Sequence, residues 1–509
     1  MKKIMALLIA LVLMLPCIAI ADENVKITVA ILRDVDDHST SFADKELVQQ
    51  ACATTGVDVE WVEIPAAYKD ERLPVLLAGG DLPDLFLGIL DTDTVSANSG
   101  LFMPLNDLVR ENAPNLTKFF DKFDSRLWDM CIYPDGNMYA LVNSVLFAPA
   151  NDCQSLPLIN TEWLKRVGME KPTTLDEYVT VLRAFKEQDA NGNGDPNDEI
   201  PFSISDQYWS SLFKYVTGNF GFTDYYAVRD GKVIGIAKDQ AYREMLEFYH
   251  KLYAEGLMDS ESFTQTGDQW KAKLQAGKVG VWYGWRPGVE LAGSEVEKQY
   301  DAFMPPQAEA YSAYPSLNGM DGKFNGNQAG FAMAATCKNP EAALKWYDYF
   351  YKDEETSITS TEGKKGVTWD FFDGVAYELE VTPETDPNGY GRAYWKYTYG
   401  LGHGGAANEY RYMYGYESDP QARINMVASI RSKLPTAAES LPNRIVPAEA
   451  VELKNEIEAD LLDYIKSFTA NAVINGIDDA SWEKHLSDMD AYRYDEWIEW
   501  QQKLYDGNF

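Results

Sequence analysis

The sequence predicts an α/β protein with two lobes, or two domains with an appendage, built on mostly parallel sheets with helices on their faces. The first observation is length: 509 residues exceed the roughly 250–300 residues at which a single hydrophobic core stops growing. The second is a strand–helix alternation that starts at residue 25 and is typical of parallel strands joined by helical crossovers. Ligands of such sheets bind beyond the carboxyl ends of the strands.

The first elements are predicted in order from residue 25. Alternating apolar residues in VKITVAIL (25–32) and VDVEWVEIP (57–65) predict two strands. The stretch between them, residues 41–56, predicts a helix that ends at Gly56. A second helix with a glycine stop, a turn at GDLPD and a third strand complete this β-α-β-α-β unit.

Two successive helices are predicted between residues 160 and 188. Asn160 or Thr161 caps the first, which ends at Gly168. Thr174 and Glu177 form a capping-box pattern at the start of the second. Further predicted elements are strands at 135–144 and at the end of 273–285, and helices at 242–257, at 339–354 and through most of 449–507.

The amino terminus has the layout of a secretory signal peptide over residues 1–21. Two lysines precede an apolar run, and Ala19–Ala21 give a small-x-small cleavage site. A lipoprotein signal requires a small residue before its cysteine, but Pro16 precedes Cys17, so cleavage after Ala21 is favoured over lipid attachment. An extracytoplasmic location is therefore expected, with a lipid anchor at Cys17 left open.

Charge and cysteine content limit the classes of function. The formal net charge is −34, and a strongly negative surface repels phosphate backbones, so nucleic acid is not expected as a partner. The cysteines of the mature chain are too widely spaced for a zinc site. They leave open a disulfide between Cys131 and Cys153 or four free thiols, which also include Cys52 and Cys337.

The segment DANGNGDPNDEI (189–200) matches a calcium-binding loop at several positions. Calcium takes six to eight oxygen ligands, and in the EF-hand loop the side chains at positions 1, 3 and 5 contribute, with glycine at position 6. Position 12, normally a bidentate Glu, is Ile200 here, and the closing acids come earlier. The alternative is a polar turn without metal. The candidate ligands are Asp189, Asn191, Asn193, Asp195, Asp198 and Glu199. A structural role is expected, since the loop contains no histidine.

Several segments resemble the bacterial extracellular solute-binding proteins of ABC importers, and among them the large oligosaccharide-binding branch that includes alginate-oligosaccharide binders and LipO-like lipoproteins. The segments are LLAGGDLPDLF (76–86), FMPLNDLVRENAPNL (102–116), DGNMYAL (135–141), 159–203, ATCKNPEAALKWYDYFY (335–351) and the tail with INGIDDASWEKHL and QQKLYD. The calcium loop of that family closes with Asp-Glu-Ile-Pro, as residues 198–201 do, although one extra residue stands before the closure here.

The resemblance implies a periplasmic-binding-protein-like fold, with ligand held in a cleft between two α/β lobes. We expect lobe 1 to comprise 22–150 and roughly 320–375, and lobe 2 to comprise 151–319 and roughly 376–509. It also implies a monomer that binds an oligosaccharide and delivers it to the importer's membrane subunits without cleaving it. The missing lipobox departs from lipoprotein members of the family.

Aromatic clusters in loops are the candidate sugar-binding surfaces, because aromatic rings cover sugar faces while forked polar groups bind hydroxyls. The most prominent cluster is VWYGWRPG (281–288), in which Tyr283 and Trp285 are expected on one face and Trp282 in the core. The candidates are Arg33, Asp34, Gln207, Trp209, Tyr283, Trp285, Arg286, Trp395, Tyr399, His403, Tyr410 and Arg411. His250 and His485 are expected at the solvated surface.

Two other functions fit parts of the sequence. A secreted carbohydrate-active enzyme needs a pair of carboxylates roughly 5–10 Å apart, but with 79 acidic residues the presence of acids is not informative. We find no GxSxG, HExxH or phosphate-loop pattern. A solute-binding fold that serves as a sensor or binds peptides is the other alternative.

Overall fold

The computed structural model describes residues 24–123, 125–143, 152–205, 211–212, 216–291, 294–320, 327–372, 374–379, 381–407 and 419–509. The predicted signal peptide, with Cys17, lies outside these ranges. Within them, no helix has both the length and the apolar character needed to cross a membrane.

Thirteen strands form two main sheets and two hairpins within the described part of the chain. They are β1 Val25–Arg33, β2 Val57–Pro65, β3 Leu85–Leu87, β4 Ala140–Asn143, β5 Leu156–Asn160, β6 Ile200–Phe202, β7 Tyr226–Arg229, β8 Lys232–Gly235, β9 Val279–Gly284, β10 Tyr300–Ala302, β11 Asn327–Met333, β12 Trp369–Phe372 and β13 Val375–Glu378.

The described α-helices begin and end at these residues. They are α1 Glu46–Thr55, α2 Lys69–Ala78, α3 Thr92–Ala97, α4 Asn106–Asn112, α5 Pro114–Phe120, α6 Arg126–Asp129, α7 Thr161–Val167, α8 Leu175–Glu187, α9 Gln240–Ala254, α10 Gly267–Gln275, α11 Pro287–Glu290, α12 Pro340–Asp348, α13 Glu354–Glu362, α14 Gly391–Tyr399, α15 Asp419–Ile430, α16 Ala448–Asn475, α17 Asp479–Ala491 and α18 Tyr494–Asp506.

Lobe 1 is built on the five-stranded sheet β2-β1-β3-β11-β4. Strands β1, β2 and β3 pair in parallel, and β11 runs antiparallel between β3 and β4. Side chains alternate along β1, so that Ile31 packs into the core on one face and Ala30 into the core on the other. The predicted glycine stop is confirmed: Gly56 ends α1 with φ 72°, in the left-handed region.

Lobe 2 is built on the four-stranded sheet β10-β5-β9-β6. Only β6 and β9 pair in parallel, whereas β5 is antiparallel to both β9 and β10. The α/β class is therefore confirmed, but this second sheet is mixed rather than mostly parallel. The predicted capping box is present at α8, where Thr174 accepts from the Glu177 N–H and the Glu177 carboxylate accepts from Thr174.

The three carboxyl-terminal helices pack mainly on lobe 2, but α16 reaches both lobes. Near its start, Lys454 forms an ion pair with Asp93 of lobe 1. Farther along, the Thr469 hydroxyl lies 2.9 Å from the Tyr242 hydroxyl of lobe 2. This one helix therefore contacts both halves of the molecule.

The segment 391–407 differs from the expected division of the chain, which put 376–509 in lobe 2. Leu401, Ala406 and Ala407 are buried in the core of lobe 1, on the same sheet face as Ile31. The apolar face of this segment is short and interrupted by glycines, so its sequence does not indicate which lobe it joins.

His485 was expected at the surface and is fully buried instead. Its Nε2 lies 2.7 Å from the Ala237 carbonyl oxygen, and its ring stacks on Phe468 at 4.0 Å. The hydrogen bond offsets the cost of burying the polar ring. Burial lowers the pKa of His485, which keeps the ring neutral. All four described cysteines are free thiols.

Candidate functional site

The carboxyl ends of β1, β3 and β4 meet the turn 401–407 at one edge of the lobe 1 sheet. Gly88 follows β3 with φ 63°, and a Cβ there would lie 2.1 Å from the His403 carbonyl oxygen. The Asn143 amide, at the end of β4, donates to the carbonyl oxygens of His403 at 2.8 Å and Gly405 at 3.0 Å. The turn is therefore fixed against the strand ends, where ligands of α/β sheets bind.

Asp34 and His403, both predicted site residues, are direct neighbours at this edge. The His403 Nε2 lies 3.0 Å from the Asp34 Oδ2. Burial alone raises the pKa of Asp34, but the hydrogen bond from His403 and the backbone N–H of Asp36 outweigh it and leave the pKa lowered. Asp34 is thus a carboxylate, available as a hydrogen-bond acceptor.

Lys45 fixes the loop after β1 to the end of α14. Its ammonium donates to Asp37 Oδ2 at 2.8 Å and to the carbonyl oxygens of Tyr397 at 2.6 Å and Gly400 at 2.8 Å. Burial lowers the pKa of Lys45 to about 8, against the opposing effect of Asp37. Since the buried ammonium is held by acceptors from two segments of the chain, the lysine positions these segments relative to each other.

An aromatic ledge, formed by His38, Tyr390, Tyr394 and Tyr399, lies beside this edge. The rings of Tyr390 and Tyr394 stack at 4.2 Å, and His38 lies 5.3 Å from Tyr394. Tyr390 is 52% exposed and Tyr399 is 38% exposed, whereas Trp395 is buried beneath Tyr399. Exposed stacked rings beside hydrogen-bonding groups are suited to the apolar faces and hydroxyls of a sugar.

Trp285 and Arg286 follow the carboxyl end of β9 in lobe 2. The buried Glu290 carboxylate accepts from the backbone N–H of Trp285 at 2.8 Å and of Arg286 at 3.0 Å, which fixes this turn. The guanidinium carbon of Arg423 lies 3.5 Å from the centre of the Trp285 ring. One face of the indole is therefore already covered by protein.

A chain of ion pairs connects Arg286 to α14. The Arg286 Nη2 lies 3.3 Å from Glu378 Oε1, and the Arg392 Nε lies 3.1 Å from the same oxygen. Arg392 and Lys396 in turn bind the buried Glu362, at 2.8 and 3.0 Å. The turn from lobe 2 is thereby held next to the helix that carries Tyr394 and Tyr399 of the aromatic ledge.

The other predicted ligand-binding residues lie in the core, at the loop after β1 or outside the described residues. Tyr283 is buried in the core against Phe202, on the opposite side of β9 from Trp282, which is in the core as predicted. The strand ends at Gly284, so the alternation that placed Tyr283 and Trp285 on one face does not continue to Trp285. Arg33 donates to Glu63 and to the Ser39 carbonyl oxygen, holding the loop after β1. Gln207, Trp209, Tyr410 and Arg411 lie outside the described residues.

Sequence reasoning missed His38, Tyr390, Tyr394, Glu378 and Arg392. Tyr390 and Tyr394 were not selected, although their spacing of four residues is typical of side chains on one helix face. Nothing local indicates that Glu378 bridges two arginines, because its partners are 92 and 14 residues away.

The predicted calcium loop joins α8 to β6. Asp189 Oδ2 accepts from the Gly194 N–H at 2.9 Å, and Gly192 and Gly194 have positive φ. The Arg166 guanidinium donates to the carbonyl oxygens of Ala190 and Asn191, both at 2.8 Å. The loop is therefore compact and tied to α7.

The acidic groups of the loop have unequal partners. Asp198 accepts from the amides of Asn191 at 2.8 Å and Asn193 at 3.1 Å, while Asp189 Oδ1 and Glu199 Oε2 are buried and accept no hydrogen bond from the described residues. Burial and the neighbouring Asp198 and Asp189 raise the pKa of Glu199. No three His, Cys, Asp or Glu side chains in the described ranges converge as a preformed metal cluster.

The family model for the bacterial extracellular solute-binding protein matches residues 39–357. This chain belongs to that family. The predicted resemblance is confirmed, since the match covers more than half of the chain.

Two relatives of this solute-binding protein match different shares of its length. FusA of Streptococcus pneumoniae, a fructooligosaccharide ABC transporter substrate-binding protein, is 27% identical over 91% of this chain and 87% of its own. Lipoprotein LipO of Bacillus subtilis is 25% identical over 64% of each chain.

Solved structures agree with the fold. An extracellular solute-binding protein of Bifidobacterium longum subsp. infantis superposes with a TM-score of 0.82 at 23% identity, covering 96% of this chain and 99% of its own. FusA in complex with kestose has a TM-score of 0.80 at 25% identity, covering 95% of this chain and 99% of its own. The periplasmic-binding-protein-like class is thereby confirmed.

Proposed function

We propose that this solute-binding protein captures an oligosaccharide outside the cytoplasm and delivers it to the membrane subunits of an ABC importer. The observation that carries the proposal is the ion-pair chain Arg286–Glu378–Arg392, which ties the turn after β9 of lobe 2 to α14, beside the aromatic ledge and the Asp34–His403 pair. The relation to FusA, named for fructooligosaccharide, supports the same ligand class. We assign the ligand to this edge.

Two carboxyl groups near the edge, Asp34 and Glu362, do not fit the role of a glycosidase acid. A glycosidase needs one carboxylic acid that stays protonated and a second carboxylate. Here the pKa of Asp34 is lowered, and so is that of Glu362, where the charges of Lys396 and Arg392 outweigh the effect of burial. Both groups are engaged by cationic or potentially cationic partners, so neither is suited to act as a general acid.

The loop 189–199 is proposed to hold a structural calcium ion. Asp189 and Glu199 each have a buried oxygen that accepts no hydrogen bond, and such oxygens are suited to a hard cation. The remaining oxygens would come from the carboxylates of Asp195 and Asp198 and from the amides of Asn191 and Asn193, once these amides turn their oxygens toward the ion. When bound, the ion neutralises the cluster of acids and ties α8 to β6. A solved structure of FusA is described as that of an EF-hand mutant, so this relative has such a motif.

An extracytoplasmic location is proposed for the mature chain from Asp22 onward. The family is described as extracellular, and the signal-peptide pattern of residues 1–21 supports export. Mass spectrometry of the exported protein distinguishes a chain that starts at Asp22 from one that starts at a lipid-modified Cys17.

The test is calorimetry of the purified mature protein with a panel of neutral and uronic-acid oligosaccharides, with calcium present. Saturable binding with no product in the mixture supports the proposal. Turnover of any oligosaccharide supports the carbohydrate-active enzyme instead, and binding of peptides alone contradicts the proposed ligand class.

A further inference from the structure

Arg423 of α15 is a fully buried cation in lobe 2. It is only 1% exposed, although an arginine is almost never fully buried unless its charge is paired or hydrogen-bonded. One turn farther along α15, Val427 packs into the same core as Cys153. The core-facing side of this helix therefore carries a guanidinium into the interior, where its contacts have to offset the cost of burying the charge.

The Arg423 guanidinium binds two segments of lobe 2 that are distant in sequence. Its Nη2 donates to the Cys153 carbonyl oxygen, and its Nη1 donates to the Trp285 carbonyl oxygen. The guanidinium carbon lies 3.5 Å from the centre of the Trp285 ring, a separation at which a cation and an aromatic face attract each other. Arg423 is therefore anchored at Cys153 and holds both the main chain and the ring of Trp285.

The segment that provides the anchor is itself paired with a second segment. The Gln154 N–H donates to the Asn318 carbonyl oxygen at 2.8 Å, and the Met320 N–H donates to the Asp152 carbonyl oxygen at 2.9 Å. These hydrogen bonds lie on either side of Cys153. The Cys153 carbonyl oxygen thus offers Arg423 an acceptor whose position is fixed.

Glu290 fixes the Trp285 turn from another side. Its buried carboxylate accepts from the Trp285 N–H at 2.8 Å, so the N–H, the carbonyl oxygen and one ring face of Trp285 are all engaged. Burial raises the pKa of Glu290, and the hydrogen bonds from the Trp285 and Arg286 N–H groups and the charge of Arg423 oppose this shift. Trp285 itself is only partly buried, so these contacts hold an indole that is still accessible to solvent.

An aromatic ring that is held in place before a ligand arrives loses little conformational freedom when the ligand stacks on it. Arginine suits this task better than lysine, because its planar guanidinium stacks on a ring while its separate N–H groups reach two acceptors. We propose that Arg423 is a positioning residue of the binding site, which holds the Trp285 indole in its ligand-binding orientation. The inference rests on the proposed function, in which Trp285 contacts the sugar, and adds a residue that acts through Trp285.

The experiment uses the full mature protein with its tryptophans replaced by fluorotryptophan, so that fluorine NMR observes the indoles. The resonance that is absent from Trp285→Phe is that of Trp285. Arg423→Lys keeps the charge but loses the planar fork. Arg431→Gln is the matched control, because Arg431 pairs with Asp152 at 2.8 Å, next to the same anchor. Calorimetry with 1-kestose, raffinose, maltotriose and trigalacturonate gives the affinities, and thermal melts establish that each variant is folded.

Without sugar, the wild type should give one narrow Trp285 resonance, which shifts when a sugar binds. Arg423→Lys should broaden or split the sugar-free resonance and weaken binding of that sugar by about tenfold, the effect of losing a partly desolvated cation–π contact. In a Trp285→Ala background, Arg423→Lys should cause no further loss of affinity, because Arg423 acts through the indole. Arg431→Gln should leave both the resonance and the affinity unchanged.

Three results overturn the inference while the proposed function stands. One is a broad or split Trp285 resonance in the sugar-free wild type, which shows that the indole is not held and decides the matter even where Arg423→Lys does not fold. The second is a Trp285 resonance in folded Arg423→Lys that matches the wild type. The third is a loss of affinity on Arg423→Lys that is equally large with and without the Trp285 indole.

Failure of the proposed function gives different results. Absence of sugar binding by the wild type contradicts the proposed function itself. A Trp285 resonance that a bound sugar leaves unmoved contradicts the edge as the place where the sugar binds.

Discussion

Arg286 and Glu378 join the two lobes at the rim of the proposed site. The Arg286 Nη2 lies 3.3 Å from Glu378 Oε1, and the side chains are 11% and 8% exposed. Arg286 follows β9 of lobe 2, while Glu378 ends the β12–β13 hairpin, whose Trp369 and Ala376 pack on Ile358 of α13 in lobe 1. The pair therefore favours the arrangement in which the Trp285 turn faces the aromatic ledge.

Glu378→Gln is expected to weaken oligosaccharide binding by about tenfold. A hydrogen bond to a charged group contributes about 1.5–3 kcal/mol, and its loss raises the population in which the lobes are apart. Calorimetry gives the affinity, and small-angle scattering should show a larger radius for the unliganded variant. Glu355→Gln breaks the exposed pair with Lys365 and serves as the control. Unchanged affinity in Glu378→Gln contradicts the closing role.

Trp285→Ala is expected to reduce affinity at the edge by at least about 2 kcal/mol, as is common for a central tryptophan. Trp285→Phe keeps a ring beneath Arg423 and should retain part of the binding. Tyr68→Ala removes a ring that is 52% exposed, elsewhere on lobe 1, and should bind normally. If Trp285→Ala folds and binds the edge ligand as tightly as the wild type, the edge is not the site.

Calcium is expected to raise the melting temperature, and chelation to lower it. At a calcium concentration one hundred times Kd, a single site stabilises the folded state by about 2.7 kcal/mol. Asp189→Asn should abolish the stabilisation by calcium, because it removes the negative charge of the carboxylate whose Oδ1 has no hydrogen-bond partner. Glu187→Gln, at an exposed position at the end of α8, should leave the stabilisation unchanged. If neither calcium nor EDTA changes the melting temperature, and elemental analysis finds no calcium, the loop is a polar turn.

Glu362→Gln is expected to destabilise the protein at neutral pH by about 3 kcal/mol, since it removes the buried carboxylate that pairs with Lys396 and with Arg392, which keeps its ion pair with Glu378. The folded pKa of Glu362 is lowered relative to the ordinary 4.5. Its ionised form therefore stabilises the fold above about pH 4.5, and this contribution is lost as the pH falls through the folded pKa.

The difference in stability between wild type and Glu362→Gln should consequently be constant near neutrality and shrink below pH 4.5. Thermal melts from pH 3 to pH 8, on the order of one per pH unit, measure it. A difference that grows toward low pH is the outcome that contradicts the assignment, because it requires a raised pKa.

Local patterns predicted the elements well because their causes are local. The alternation of Val25–Leu32, the stop at Gly56 and the Thr174–Glu177 capping box each involve residues that are close in sequence. The family resemblance then supplied the two-lobe architecture. Strand β5 was not predicted, and its antiparallel pairing with β9 joins segments more than 100 residues apart.

The candidate site was only partly predictable, for a similar reason. Asp34 was selected from its place after β1, and His403 from its glycine-rich surroundings, but their contact depends on how 401–407 docks at the ends of β1 and β3. Tyr283 was assigned to the surface by alternation, yet β9 is buried on both faces. In a strand that is buried on both faces, successive side chains point into two different cores, so their alternation does not distinguish core from solvent.

The span of α16 has a mechanical consequence. Its 28 residues correspond to a rod of about 42 Å, pinned to lobe 1 at Asp93 and packed along lobe 2 at Tyr242. The Lys454–Asp93 ion pair holds the amino end of this rod on lobe 1 while its length lies on lobe 2, so any rotation of the lobes against each other has to shift or break this contact.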